Sequence, residues 1–388
     1  MELGFLAETD ERTPSSDGLT ARKLDHLVSY QPRPFSSLEV EVTTRCNLYC
    51  PSCPRVRLGS TWINQDMTLA CFEKAAASLD RFETVHFRGW GEPLLNPCFP
   101  EMVRLAYQSG ARLVLTTNGQ QMPDLGLLPY FKAILFRLDY GRAATYERRN
   151  PGSGFNRVIF NISQVLHARD SIGSAHPQII LLFAKNKYSL RELPAYLETA
   201  IRLQPDRVGF YQPFFHVRRI DSSGELPADL DPGLIQTVDA RLEAMARAAG
   251  LDMVNQPVLF SQEKDRRPRC PLTPTTSLFL SWRGHLAGCR FSTLPVIHGT
   301  YTQIVGGRAR SRANVIFGSL RRNSLDSLVE HQKRWEFRQT CHQTGWCLDP
   351  EDHGTGHPAR PGSVRSKRRG NLIFLGHGSA KSDFGSKR

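Results

Sequence analysis

The chain has 388 residues, 40% apolar and 22% charged, with a formal charge of +13. A chain of this length and apolar content can bury one large core plus a smaller domain, which excludes a wholly disordered protein. Its longest apolar run, Ile179 to Ala184, is too short to cross a bilayer as a helix, so no membrane partner is expected.

Met1 to Gly18 is polar and acidic and lacks the apolar segment of a secretory signal, so a cytoplasmic location is expected. Nine cysteines in a reducing compartment point to metal or catalytic work rather than to disulfides. Eight Lys or Arg against one Asp fall between Thr355 and Arg388, so much of the net charge belongs to the tail. Its Gly and Ser content and lack of apolar periodicity read as a solvated, disordered segment in preference to a nucleic-acid footprint, although a tail that pairs with RNA or an acidic partner has the same composition.

Residues 1–35 form an N-terminal extension. From 36 to 215, strand-like runs at 38–43, 84–88, 112–117, 134–139, 178–184 and 207–212 alternate with helical stretches at 68–80, 98–109, 124–131, 155–169 and 188–203. Leu69, Phe72, Ala76 and Leu79 recur at helical spacing behind the N-cap candidate Thr68, as do Leu193, Tyr196, Leu197 and Ile201 in the last helix. Alternating elements of this kind build βα units around a parallel sheet, and six units are too few for a closed eight-stranded barrel. The expected fold is α/β: a partial (β/α)6 TIM-like barrel with its chemistry at the C-terminal mouths of the strands and a small C-terminal Cys-rich iron–sulfur extension. A linker with a helix near 233–249 spans 216–262, a second cysteine-bearing segment spans 263–350, and a basic tail spans 351–388.

Directly after the first strand comes Cys46-Asn47-Leu48-Tyr49-Cys50-Pro51-Ser52-Cys53. Three thiolates at this spacing can hold three irons of a cubane and leave the fourth open, or can supply most of a zinc site. After the second strand, Gly89-Trp90-Gly91-Glu92-Pro93 lets backbone approach a ligand closely and offers one carboxylate; it is also readable as a tight strand-to-helix turn. The third strand ends in Thr117-Asn118-Gly119, by itself a turn signal. The fourth ends in Arg137-Leu138-Asp139, where Arg137 can clamp a carboxylate or phosphate or lie solvated. Tyr211, Phe214, Phe215 and His216, followed by Arg218 and Arg219, either line a pocket or pack as core.

Farther on, Cys270, Cys289, Cys341 and Cys347 could saturate a second cluster or a zinc ion, the latter also with His342, His353 or His357. Gly284 marks the turn of a hairpin from Ser277 to Cys289, and a helix-like run from Ser324 to Arg338 precedes the last two cysteines. Cys71 and Cys98, on helices, read as small buried hydrophobes.

In their order along residues 36–350, the C-x3-C-x2-C loop, Gly91-Glu92-Pro93, Thr117-Asn118-Gly119 and the C-x13-G-x4-C hairpin resemble the radical S-adenosylmethionine (SAM) superfamily. The resemblance implies that Cys46, Cys50 and Cys53 bind a 4Fe-4S cluster whose open iron chelates SAM. It implies that Gly91, Glu92 and Pro93 hold the SAM amino group, with Trp90 standing where relatives carry a first glycine. Asn118 ends the matching strand, Arg137 replaces a serine that relatives place near the SAM ribose or carboxylate, and Asn186 and Gln212 match positions near the adenosine. Cys270, Cys289, Cys341 and Cys347 resemble the ligands of a second, auxiliary 4Fe-4S cluster in SPASM or twitch extensions.

The activity implied is reductive cleavage of SAM to a 5'-deoxyadenosyl radical, which removes hydrogen from a peptide or protein for oxidative modification or cross-linking. Ferredoxin or flavodoxin would be the electron donor. A dehydrogenase or epimerase of a sugar or other small metabolite is the alternative within the family, and a non-catalytic zinc protein that binds RNA is the alternative outside it.

Overall fold

A run such as Ile179-Ile180-Leu181-Leu182-Phe183 leaves no polar face to turn toward water, so the strand it forms must be covered on both sides. The computed structural model describes residues 33–186, 188–211, 216–217, 232–255, 276–305 and 308–344. There the chain forms strands β1 (Phe35–Val40), β2 (Phe82–Phe87), β3 (Arg112–Thr117), β4 (Phe131–Arg137), β5 (Gln178–Ala184), β6 (Arg207–Tyr211), β7 (His216–Val217), β8 (Met253–Asn255), β9 (Ser277–Leu280), β10 (His285–Ala287), β11 (Thr300–Val305), β12 (Arg308–Ala313) and β13 (Gly318–Ser319). The helices are α1 (Pro54–Leu58), α2 (Leu69–Ala76), α3 (Phe99–Gln108), α4 (Ala143–Arg149), α5 (Phe155–Ser171), α6 (Leu193–Leu203), α7 (Pro232–Ala248), α8 (Leu325–Val329) and α9 (Gln332–Thr344).

Strands β1 to β6 pair in sequence order and in parallel, as the alternating pattern requires. The sheet then continues past both edges. β8 joins β6 in parallel through Val208 and Met253, and β9 joins β1 in parallel through Leu38 and Leu278. β10 folds back antiparallel on β9, and β13 closes that edge, so the order is β13-β10-β9-β1-β2-β3-β4-β5-β6-β8. A separate sheet runs β12-β11-β7. This is a partial TIM-like α/β architecture.

Side-chain alternation divides the two faces of the sheet. Leu38, Val40, Leu113, Leu115, Ile134, Phe136, Ile179, Leu181, Phe183, Val208 and Phe210 belong to the core cluster that also holds Phe72, Met102, Ile162 and Tyr196 from the helices. On the opposite face, Val114, Ala133, Leu135, Ile180 and Leu182 form a second buried apolar cluster. The same face of β1 and β2 carries Ser37, Glu39, Thr84 and His86, all buried. One half of the interior is therefore greasy and the other polar.

Local signals become structure where their chemistry is strong. Thr68 accepts the Cys71 amide at 3.2 Å as the N-cap of α2, and Gly284 takes φ +76° in the hairpin turn. The helix expected at 124–131 is a 3-10 turn, Leu125–Tyr130, because Pro129 has no amide proton to continue an α-helix. The last helix starts at Leu193 after a 3-10 turn, with Pro194 in its first turn. The run 324–338 is two helices, α8 and α9, and Ser324 caps the first by accepting the Ser327 amide at 3.2 Å. α4 has no apolar periodicity long enough to announce it.

Among the described residues no helix is long and apolar enough to cross a membrane.

Candidate functional site

The loop after β1 is tied down before it reaches the first cysteine. Thr44 donates its hydroxyl to Ile63 O at 2.6 Å, and the Thr43 hydroxyl reaches Asp66 at 2.6 Å. Arg45 grips both oxygens of Asp66, at 2.9 and 2.6 Å, and donates to Leu95 O at 2.7 Å. Such a two-point fork fixes direction as well as distance. Beyond it, the Tyr49 amide bonds Pro151 O at 2.8 Å, the Cys53 amide bonds Cys50 O at 3.0 Å, and Cys53 opens α1.

Cys46, Cys50 and Cys53 line one cavity of ≈ 260 Å³ together with Gly91, Glu92, Asn118, Arg137, Asp139, Asn186 and Tyr211. Cys46 Sγ accepts the Leu48 amide at 3.5 Å and Asn118 Nδ2 at 3.7 Å, while Cys50 Sγ donates to Asn150 Oδ1 at 3.1 Å. Burial pushes the Cys46 thiol up to about 11 and raises Cys50 and Cys53 as well. Three thiols held neutral this way give up their protons to a cationic metal group and to little else. Among the described residues no three His, Cys, Asp or Glu side chains are disposed to hold a single metal ion. Three thiols from one short loop lining one cavity are a donor set that fits a cluster with one iron left open.

Gly91 is required by contact. A Cβ there would stand 2.4 Å from Thr43 O and 2.5 Å from Arg45 O, so the loop after β2 lies directly on the cysteine loop. The Glu92 amide completes the junction by donating to Arg45 O at 2.8 Å. Gly91→Ala is therefore expected to part the two loops, lowering stability by about 1–3 kcal/mol and reducing the iron retained after reconstitution. Thermal unfolding and iron content per chain measure the two effects.

Glu92 is buried, and its carboxylate bridges the ends of β2 and β3. Its Oε1 accepts the Thr117 hydroxyl at 2.7 Å and the Leu94 amide at 3.3 Å, and Oε2 accepts the Asn118 amide at 2.8 Å. Burial outweighs these bonds and lifts the carboxyl to about 7. A cation arriving in the cavity would restore its charge, so the site is matched to an ammonium group. Pro93 opens the short 3-10 turn that follows.

Trp90, in place of a glycine, has a definite job. Its amide donates to Glu41 Oε1 at 3.0 Å, its indole Nε1 donates to Arg290 O at 3.1 Å, and its ring meets Trp62 and Phe291 edge-on at 6.5 and 5.6 Å. It joins the loop after β2 to the segment after β10.

Arg137 stands at the mouth of β4, half exposed, 3.8 Å from Asp139 and 5.6 Å above the Tyr211 ring, and it donates to the Tyr211 hydroxyl. Asn118 donates to Asn47 Oδ1 at 2.8 Å as well as to Cys46. Asn186 lines the cavity, yet its Oδ1 is occupied in accepting the Tyr188 and Ser189 amides at 2.9 and 3.0 Å. Gln212, Phe214, Phe215, Arg218 and Arg219 lie outside the described residues.

Of the second cysteine set, Cys289 is buried at the end of β10, where its amide meets Ser292 Oγ at 3.4 Å, and Cys341 falls within α9. Cys270 and Cys347, like His353 and His357, lie outside the described residues. Cys71 and Cys98 pack partly buried against the core. Arg88, Tyr140, Arg149, Asn150, Arg290 and Phe291 also line the cavity. Arg88, Tyr140 and Arg290 adjoin Gly89, Asp139 and Cys289, which the sequence singles out, whereas Asn150 has no such signal.

The class of fold is defined at this point: the chain has the fold of the radical SAM enzymes. In particular, it resembles SuiB of Streptococcus suis bound to S-adenosylmethionine, with a TM-score of 0.54 and 14% identity over 82% of this chain and 72% of SuiB. It resembles anSMEcpe with bound AdoMet at a TM-score of 0.52 and 14% identity, covering 77% of this chain and 82% of that one. A curated relative from Pyrococcus furiosus, the tungsten-containing aldehyde ferredoxin oxidoreductase cofactor-modifying protein, is 23% identical over 313 residues, or 78% of this chain and 82% of the relative. No family model matches the chain.

Proposed function

We propose that this chain is a radical SAM enzyme, with Cys46, Cys50 and Cys53 as ligands of a 4Fe-4S cluster and Gly91, Glu92 and Pro93 as the seat of the SAM amino group. The observation that carries this reading is the meeting of three half-buried thiols and one buried carboxylate in a single cavity of ≈ 260 Å³ at the mouth of a parallel barrel. When bound and reduced, such a cluster supplies the electron that splits SAM into methionine and a 5'-deoxyadenosyl radical. Glu92 takes the ammonium group, Asn118 ties the cysteine loop to the end of β3, and Arg137 meets the carboxylate. The apolar face of β3, β4 and β5, from Val114 to Leu182, keeps water from the space below.

The substrate we favour is a peptide or protein, oxidised or cross-linked after loss of a hydrogen atom. SuiB is also known bound to precursor peptide SuiA, at a TM-score of 0.50, and anSMEcpe with bound Cp18Cys and Kp18Cys peptides, at 0.52 and 0.53, which supports this choice. A small molecule is the second reading, supported by the cofactor-modifying relative. Cys270, Cys289, Cys341 and Cys347 would hold a second 4Fe-4S cluster that accepts one electron from the substrate radical as the oxidised product forms, and a ferredoxin or flavodoxin would supply the electron to the first.

The test is anaerobic reconstitution with iron and sulfide, reduction, and mass-spectrometric detection of 5'-deoxyadenosine from added SAM. Formation of 5'-deoxyadenosine is the expected result; a folded, iron-loaded protein that leaves SAM whole would remove this assignment.

A further inference from the structure

Among the described residues, the cavity wall carries four arginines, Arg88, Arg137, Arg149 and Arg290, against two carboxylates, Glu92 and Asp139. Arg137 sits with Asp139, and the Arg149 guanidinium lies 3.5 Å over the Tyr188 ring. The other two meet at Glu39 of β1. Arg88 Nη1 stands 3.6 Å from Glu39 Oε1, and Arg290 Nη1 lies 3.2 Å from Oε1 and 3.1 Å from Oε2 of the same carboxylate. All three side chains are about nine-tenths buried, at 7%, 13% and 11% exposure for Arg88, Arg290 and Glu39.

Arg290 is fixed rather than draped. Its carbonyl is held by the Trp90 indole at 3.1 Å, and its guanidinium lies 4.5 Å over the Phe291 ring. Against the pull of burial, Arg290 and Arg88 hold the Glu39 carboxyl down at about 2, so the two guanidiniums face one full negative charge. His86 is held neutral by burial and by the nearby Arg88, with Nε2 on the Thr116 hydroxyl at 2.8 Å, and burial pushes the Glu41 carboxyl up to about 7. A concave wall of this sign, away from bulk water, concentrates anions, and a guanidinium fork matches the paired oxygens of a phosphate or carboxylate.

We propose that Arg88 and Arg290, aligned by Glu39, form an anion subsite that seats a phosphate or carboxylate group of the substrate on the cavity wall. The proposal rests on the enzymatic reading above for what happens to that substrate, and on the wall itself for the binding. The group seated there would orient the rest of the molecule within the cavity that Cys46, Cys50 and Cys53 also line.

The test is calorimetric titration of the reconstituted, SAM-loaded protein at low ionic strength with two probes, inorganic pyrophosphate and glutarate. Saturable binding of at least one is expected, and which one binds assigns the anion as phosphate or carboxylate. Arg290→Gln should weaken it by about tenfold or more. Glu39→Gln should tighten it by about threefold or more, because the competing negative charge is gone. Were the three side chains only structural, probe affinity would not respond to loss of the Glu39 charge, so Glu39→Gln decides the matter even if Arg290→Gln fails to fold. Absence of saturable binding, an unchanged affinity in Arg290→Gln, or a Glu39→Gln variant that does not bind more tightly overturns the proposal. Assaying 5'-deoxyadenosine in the same wild-type preparation separates the two readings: binding without SAM cleavage keeps the subsite and sinks the enzymatic assignment.

Discussion

Replacing Cys46, Cys50 and Cys53 together by alanine is expected to remove about four irons per chain and to bring 5'-deoxyadenosine formation to background. The three thiols share one cavity, and each is raised by burial in the absence of a metal. Of the described cysteines outside this loop, Cys71 and Cys98 pack against the core and Cys289 is buried near β10, so none lines the cavity to replace them. Any iron that remains would belong to the second cysteine set and should be insensitive to SAM. The loop itself is pinned by Arg45, Asp66, Thr44 and Ile63, none of which depends on the thiols, so the variant should stay folded. Iron analysis and a thermal melt on the same sample check both statements. Full iron content with SAM cleavage intact would place the reactive cluster elsewhere.

Glu92→Gln is the second large effect. Gln keeps the shape but loses the charge that meets an ammonium group, and a lost charge-assisted hydrogen bond costs about 1.5–3 kcal/mol. SAM affinity should therefore fall by about ten- to a hundredfold. The same residue predicts a pH dependence. The folded carboxyl is raised to about 7 from 4.5, so its contribution to stability is complete below pH 4.5 and is lost as pH climbs through 7. Across that window the SAM-free wild type should lose about 3 kcal/mol more stability than Glu92→Gln, because each tenfold gain in proton affinity on folding is worth about 1.4 kcal/mol. Denaturant unfolding at pH 5 and pH 8 measures the difference. Identical pH profiles would show that the carboxylate is already neutralised by another group.

The barrel was legible because β4 and β5, covered on both faces, carry continuous apolar runs, and β1 and β2 keep alternate apolar residues in their C-terminal halves, all at βα spacing. That the cysteine loop, Gly91 and Glu92 belong to one place was legible for a related reason: each stands just past the C-terminal end of a parallel strand, and they line one cavity. Trp90 was not, because its role rests on Arg290 and Phe291, two hundred residues away, and no local pattern encodes a partner at that distance. Arg88 reads in sequence as an ordinary charge at a strand end. Only pairing of β9 with β1 brings the segment carrying Arg290 against β1 and Glu39. Asn150 entered the site in the same way, through the turn after α4 folding back on Cys50.

The central claim is that the three-cysteine loop holds a cluster with one iron open to SAM. Electron paramagnetic resonance of the anaerobically reconstituted, reduced wild-type protein, recorded with and without SAM, tests it most directly. Ligation of an open iron predicts that the signal of one cluster changes when SAM is added and that a fully cysteine-ligated cluster does not respond. A folded protein with no cluster signal, or a spectrum identical in the two samples, would contradict it.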